Sequence, residues 1–342
     1  MEGAYTFPTH RLSAVQGSTG KTPLVLVACG SYSPITFLHL RMFEMARDDA
    51  RTNTEFEVVG GYLSPVNDAY AKLGLASATH RVNMCQAAVT DTSDWLMVDP
   101  WEARQPAYLP TAQVLDHFDH ELNTVRGGAD VVVTDPESGE TRVEKRRVRI
   151  MLLAGSDLIL TMSEPGVWAD QDLHHILGIY GCYIIERAES ELDQTIFSSS
   201  SVHSRSPLAL YRHQIYMVDQ LVRNDVSSTK VRLFIRKGMS VKYLIPSVAI
   251  RYIDRHNLYR TADRRRDPAR ERQSPSPDLE ELEREREAIE REREKDRYQD
   301  RMRRISTSRT SSSGSVVLPH NEPSTSAPAP APSDEDLPMT SL

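Results

Sequence analysis

Between residues 24 and 259, apolar residues fall into short runs that alternate with stretches of helical spacing. Leu24 to Cys29 is a continuous apolar run that stops at Gly30, the pattern of a buried strand ending in a turn. Pro34 fixes one backbone angle of that turn. From Phe37 onward Leu40, Phe43, Ala46 and Arg47 recur at helical spacing, so a helix follows, to about Ala50. Phe56 to Leu63 predicts the next strand and, with the first, a right-handed βαβ unit. Thr79 to Val89 again carries helical spacing through Val82, Cys85 and Val89, and Trp95 to Val98 predicts a third short strand.

The alternation continues with a helix from Thr111 to about Val125, a strand at Arg149–Gly155 and a helix from Asp170 to about Leu177. Further strands are expected at Cys182–Ile185 and Ile215–Val218, and Gly155-Ser156-Asp157-Leu158 reads as the loop that leaves the 149–155 strand. Strands alternating with helices predict an α/β fold, a Rossmann-like open parallel sheet with helices on both faces. Residues 126–147 break the pattern and read as an insertion, either a hairpin around Pro136-Glu137-Ser138-Gly139 or a mobile loop. The Lys145-Arg146-Arg147 triplet within it reads as a solvated loop charge or a nuclear address.

The flanks differ in composition from this core. Residues 1–22 mix Ser, Thr, Gly and Pro without periodicity and are expected to form a flexible leader, with the domain proper at 23–260. Residues 261–342 begin with Arg, Asp, Pro and Ser, pass through Glu/Arg blocks able to sustain an isolated helix, and end in Ser, Thr, Pro and Ala. They are expected to be part-helical and then disordered.

Composition narrows the function classes. A chain of 342 residues with 39% hydrophobic content can bury a sizeable core. Its net charge of -7 argues against general nucleic-acid binding, although a local basic pocket for phosphates remains compatible with it. The three cysteines Cys29, Cys85 and Cys182 lack paired spacing, which argues against a disulfide frame or a zinc site and fits a reducing compartment. No apolar run approaches the roughly 18 residues of a membrane span, and the amino terminus lacks a signal-peptide profile. A soluble, intracellular protein is the expectation.

Two stretches carry the candidate chemistry. In the first, strand, glycine turn and helix start aim backbone N–H groups and a positive helix end at a phosphate, with Thr36 and His39 at the helix start. His39 reads either as a donor to that anion or as a satisfied histidine in the first turn. In the second, Asn224-Asp225-Val226-Ser227-Ser228-Thr229-Lys230-Val231-Arg232, Ser227 or Ser228 caps a helix with Thr229 in its first turn and Arg232 one turn on. Hydroxyls, free N–H groups and a guanidinium make that a second phosphate-binding start, or else an ordinary cap with a surface arginine. Trp101 and Tyr108 flank one strand-to-helix connection, as core residues or as a stacking platform for a flat heterocycle.

Gly30-Ser31-Tyr32-Ser33-Pro34-Ile35-Thr36-x-x-His39, Ser64-Pro65-Val66-x-Asp68-Ala69-Tyr70-x-Lys72 and Val226-Ser227-Ser228-Thr229-x-x-Arg232 resemble, in order and spacing, motifs of the eukaryotic nicotinamide/nicotinic acid mononucleotide adenylyltransferases. Val98-Asp99-x-Trp101-Glu102, Gly155-x-Asp157-Leu158 and Tyr243-Leu244-x-Pro246 support the resemblance, which spans about Leu24 to Tyr259. It implies a nucleotidyltransferase-type fold that transfers AMP from ATP to nicotinamide or nicotinic acid mononucleotide, releasing NAD or its deamido form and pyrophosphate. It also implies Mg2+ carried on the ATP phosphates rather than held by the protein, a nuclear or cytoplasmic location, and a family that is often homo-oligomeric; charge and hydropathy already argue against nucleic-acid and membrane partners.

The resemblance assigns roles as well. His39 would donate to an α-phosphate oxygen, and Arg232 would hold the leaving phosphates with Ser228, Thr229 and Lys230. Gly30, Ser31 and Tyr32 would position both substrates, Thr36 would share the ATP site and Lys72 would meet phosphate. Gly155 and Asp157 would bind the adenosine ribose, while Asn224 and Arg187 would line the adenine. Trp168 and Tyr108 would sandwich the pyridine ring, with Thr111 nearby. Two positions depart from the family pattern: Ser33 stands where Asn is common, and Tyr108 where some members carry Trp. The alternatives are another adenylyl- or cytidylyltransferase of the superfamily, such as a pantetheine-phosphate or phosphocholine enzyme, and a non-catalytic, chaperone-like role.

Overall fold

The computed structural model describes residues 5–70, 74–163, 168–186 and 207–260. Its elements run β1 (Val15–Gln16), β2 (Thr22–Gly30), α1 (Phe37–Asn53), β3 (Phe56–Pro65), α2 (Ala78–Thr92), β4 (Leu96–Val98), α3 (Thr111–Asp119), β5 (Ala129–Thr134) and β6 (Thr141–Arg146). They continue as β7 (Arg149–Gly155), α4 (Ser156–Ser163), α5 (Asp170–His175), β8 (Cys182–Glu186), β9 (Ile215–Asp219), α6 (Ser228–Arg236) and α7 (Ser247–Arg255). Six strands form one sheet in the order β4-β3-β2-β7-β8-β9, and every pair is parallel. The expected Rossmann-like open sheet is the architecture observed.

Parallel strands need helical crossovers, so both faces of such a sheet are covered and its strands read as unbroken apolar runs. The side chains divide accordingly. Val25 and Val27 of β2, Ile150 and Leu152 of β7, and Ile184 of β8 pack with Leu115 and Phe118 of α3 and Leu173 of α5. Leu24, Leu26, Met151, Leu153 and Tyr183 point the other way, against Phe43 of α1, Met84 of α2, Val231 of α6 and Ile253 of α7.

Two expectations are corrected. Residues 5–22 are not a free leader where described: Phe7 and Val15 are buried in the core, and β1 pairs in parallel with β5. An extended segment anchored one side chain at a time leaves no periodic signature. The stretch after Gly155 is not a loop, because Ser156 and Asp157 open helix α4, whose Ile159 and Met162 are buried at helical spacing. The helices begun by α3 and α5 run on in wider π-type turns, through His120–Val125 and Ile176–Tyr180.

The insertion is a hairpin. β5 and β6 pair antiparallel from Ala129↔Arg146 to Thr134↔Thr141, and with β1 they make a three-stranded sheet. Each member of the basic triplet has an acidic partner: Lys145 with Asp130 at 2.7 Å, Arg146 with Glu144 at 3.8 Å, and Arg147 with Asp119 at 2.7 Å. Residues 261–342 lie outside the described residues. Among the described residues no helix is long and apolar enough to cross a membrane.

Candidate active site

The chain leaves β2 towards β3 and β4 on one side and later returns to β7 on the other, so the carboxyl ends of β2 and β7 lie at the point where strand order reverses. Helices diverge there and leave a crevice, the usual ligand position in an open α/β sheet. A cavity of about 580 Å³ occupies it, lined by Gly30, Tyr32, His39, Gly155, Asp157 and Trp168, with Tyr70 at its wall. A Cβ built on Gly30 would stand 3.0 Å from the Tyr32 ring, whereas one on Gly155 would meet nothing within 4 Å.

The α1 start orients His39. Thr36 is its N-cap and accepts from the His39 N–H at 3.4 Å, while the Thr36 N–H donates to His39 Nδ1 at 2.9 Å, a reciprocal capping box. A backbone N–H can only donate, so Nδ1 is bare and Nε2 carries the proton in the neutral ring. The Tyr32 ring and the imidazole meet edge to face, with centroids 5.1 Å apart at 78°, and the Tyr32 hydroxyl donates to the Ala28 carbonyl at 2.7 Å. The ring nitrogen facing away from the cap is therefore a fixed N–H donor.

The α6 start meets the same loop from the other end of the chain. Ser227 is its N-cap and accepts from the Lys230 N–H at 3.2 Å. The Ser228 hydroxyl donates to the Pro34 carbonyl at 2.8 Å, and Arg232 Nη1 donates to the Ser33 carbonyl at 2.8 Å. Arg232 is only 6% exposed, and burial pulls its pKa below the ordinary value. Its Nε is a buried donor with no partner among the described residues. A desolvated cation with a donor to spare suits an oxyanion.

The remaining expected site residues separate into groups. Trp168 is held by its Nε1 donating to Thr161 Oγ1 at 3.1 Å and shares the cavity wall with Tyr70. Tyr108, 49% exposed, stacks on Tyr70 at 6.1 Å and 27°, and Thr111 is the first residue of α3. Asn224 shapes the entry to α6, since its Oδ1 accepts the Val226 N–H at 3.0 Å. Lys230 pairs with Asp225 at the surface, and Thr229 Oγ1 lies 3.4 Å from Arg232 Nη2. Ser33 is fully buried and bonded to the Tyr259 hydroxyl and the Ala76 N–H, so it props the loop. Trp101 is a packing residue, stacked on His117 at 4.0 Å and 4°. Lys72 and Arg187 lie outside the described residues.

Two buried charged residues near the site have no role assigned from sequence: Arg81 stands in no motif, and Glu102 only closes the Val98–Glu102 stretch. Arg81, fully buried, donates to the Ser31 carbonyl at 3.0 Å, the Val66 carbonyl at 2.6 Å and the Ala76 carbonyl at 2.9 Å, stapling the first two loops together. Its spacing from Met84, Cys85 and Ala88 puts it on the apolar face of α2, the one local sign of this role. Glu102, 3% exposed, accepts from Ser64 Oγ at 2.5 Å, and burial pushes its pKa up to about 7. Among the described residues no three His, Cys, Asp or Glu side chains gather as a metal site.

Residues 27–234 match the family described as cytidylyltransferase-like. The chain is similar to nicotinamide/nicotinic acid mononucleotide adenylyltransferase 2 of Saccharomyces cerevisiae, 56% identical over 255 residues, covering 75% of this chain and 61% of that one. It is similar to the nicotinamide/nicotinic acid mononucleotide adenylyltransferase of Schizosaccharomyces pombe, at 54% identity over 76% of this chain and 66% of that one. The Arabidopsis thaliana protein of the same name is 40% identical over 74% of this chain and 96% of its own length. The chain belongs to this adenylyltransferase family. It spans less than two thirds of the two yeast relatives (61% and 66%) and nearly all of the plant one (96%). Family membership accounts for the parallel sheet that carries the two helix starts.

Proposed function

We propose that this chain transfers AMP from ATP to nicotinamide mononucleotide, nicotinic acid mononucleotide or both, forming NAD or its deamido form and releasing pyrophosphate. The observation that carries the reading is the meeting of two helix starts, in which Ser228 and Arg232 bond the carbonyls of Pro34 and Ser33 just ahead of the Thr36–His39 cap. The names of its relatives point the same way.

The acceptor phosphate is already an anion at neutral pH, so it needs no base to attack the α-phosphorus in line. The protein's contribution is alignment of two anions that repel, and positive potential where charge accumulates. His39 Nε2–H would donate to an α-phosphate oxygen, while Arg232 and the α6 start would hold the departing pyrophosphate. Mg2+ would arrive on the triphosphate and reduce the repulsion further. Lys72 and Arg187 would complete the phosphate and adenine contacts. Trp168 and the Tyr70–Tyr108 pair offer aromatic faces for the pyridine ring.

The purified chain with ATP and either pyridine mononucleotide is expected to yield the dinucleotide and pyrophosphate, and not to adenylate phosphopantetheine or activate phosphocholine. A folded sample that makes no dinucleotide would overturn the reading in favour of the other superfamily chemistries or a binding role. Gly155→Val tests the ATP side. Its new side chain enters open cavity rather than packed protein, so melting should stay within about 2 °C of wild type. KM for ATP should rise about tenfold with little change in kcat, the mark of lost uniform binding. An unchanged KM would move the nucleotide away from Gly155.

A further inference from the structure

The amino-terminal segment 5–13 reaches the connection that carries the candidate mononucleotide residues. Asp99 follows β4 and is buried; Tyr108 and Thr111 come later on the same connection, and His117 lies further along α3. The Tyr5 hydroxyl donates to Asp99 Oδ1 at 3.0 Å and lies 2.9 Å from His117 Nε2, which is itself 3.0 Å from Asp99 Oδ2. With the phenol proton on Asp99, the phenol oxygen and Asp99 Oδ2 share the imidazole N–H, so all three groups are satisfied. Asp99 Oδ1 also accepts the Trp101 N–H at 3.1 Å, and the Trp101 indole lies flat on the same imidazole.

We propose that Tyr5 is a positioning residue: it ties the start of the 99–111 connection to α3, and so sets where Tyr108 and Thr111 meet a pyridine mononucleotide. This rests on the function proposed above. Within the connection Glu102 accepts from Ser64 Oγ at 2.5 Å and the Ala107 carbonyl accepts from Asn67 Nδ2, while Tyr108 beyond them is half exposed. The segment itself has other anchors: Ser13 N–H to the Val59 carbonyl at 2.9 Å, Arg11 Nη1 to the Leu96 carbonyl at 2.7 Å, and Phe7 stacked on Tyr62 at 5.2 Å. Loss of the phenol hydroxyl alone therefore leaves the segment seated while it removes one of the two side chains that hold Asp99, leaving His117 as the other. The residues read as facing ATP, His39, Gly155 and Arg232, sit on α1, β7 and α6, not on β4 or α3, which flank this junction.

The test is Tyr5→Phe in the full chain, which keeps the ring and removes the hydroxyl. KM for the pyridine mononucleotide is expected to rise about tenfold, with KM for ATP changed less than about twofold and kcat nearly constant. Backbone amides of residues 102–111 are expected to exchange hydrogen faster, with those of residues 5–13 unchanged. Equal changes in both KM values, no change in either, or faster exchange confined to residues 5–13 would each refute the positioning role. Should wild type make no dinucleotide, the proposed function falls, and the exchange comparison decides the tie separately: faster exchange at 102–111 supports it and unchanged exchange refutes it.

Discussion

His39→Ala is expected to lower turnover at least about 100-fold, since loss of one donor aimed at developing charge costs about 3 kcal/mol of transition-state stabilisation. The argument rests on orientation. The Thr36 N–H fixes Nδ1 as an acceptor, so the donor at Nε2 is set before substrate arrives. Alanine also removes half of the capping box, which adds a stability cost of about 1 kcal/mol at the α1 start. His39→Gln separates the two effects, because Gln at this position can accept from the cap N–H and keep the helix start intact. It should melt near wild type yet remain strongly impaired. Initial rates at saturating ATP and mononucleotide, with melting curves for both variants, provide the check. Wild-type turnover in a folded His39→Ala would remove His39 from the chemistry.

That prediction draws on the part of the molecule most legible in sequence. A cap, a glycine turn and an apolar run are local, so β2, α1, α6 and their capped starts can be read from adjacent residues. What local pattern cannot supply is the meeting of Ser228 with Pro34, 194 positions apart, or of Arg232 with Ser33, 199 apart. The resemblance to a family supplied that step. The amino-terminal segment was illegible for a different reason. Tyr5, Phe7 and Val15 bury or bond singly along an extended path, and one contact per few residues has no period. Helix α4 was hidden because Gly155-Ser156-Asp157 has turn composition, although burial of Ile159 and Met162 decides for helix. Arg81 and Glu102 are tertiary facts: a charged side chain is drawn inward only when carbonyls or hydroxyls from other elements can satisfy it.

Burial of Glu102 leads to the second large effect, on stability rather than rate. Removal from water pushes its pKa from 4.5 up to about 7; Asp99 adds to the rise, and Ser64 and Arg81 oppose it. Between those two pH values the folded chain holds a proton that the unfolded chain has released. Folding therefore loses stability as pH rises through this window, by up to about 3 kcal/mol once pH exceeds the folded pKa. Glu102→Gln removes the titration and keeps an acceptor for the Ser64 hydroxyl. The difference in unfolding free energy, variant minus wild type, should thus grow from near zero or below at pH 5 to favour the variant at pH 8. Taking the difference at each pH cancels the histidines and other groups common to both chains. Urea unfolding at four pH values measures it, and parallel curves for the two proteins would mean that Glu102 is ionised throughout. In that case Arg81 and the Ser64 hydroxyl would be holding the carboxylate at least as strongly as burial opposes it, and the charge within the 99–111 connection would persist across this pH range.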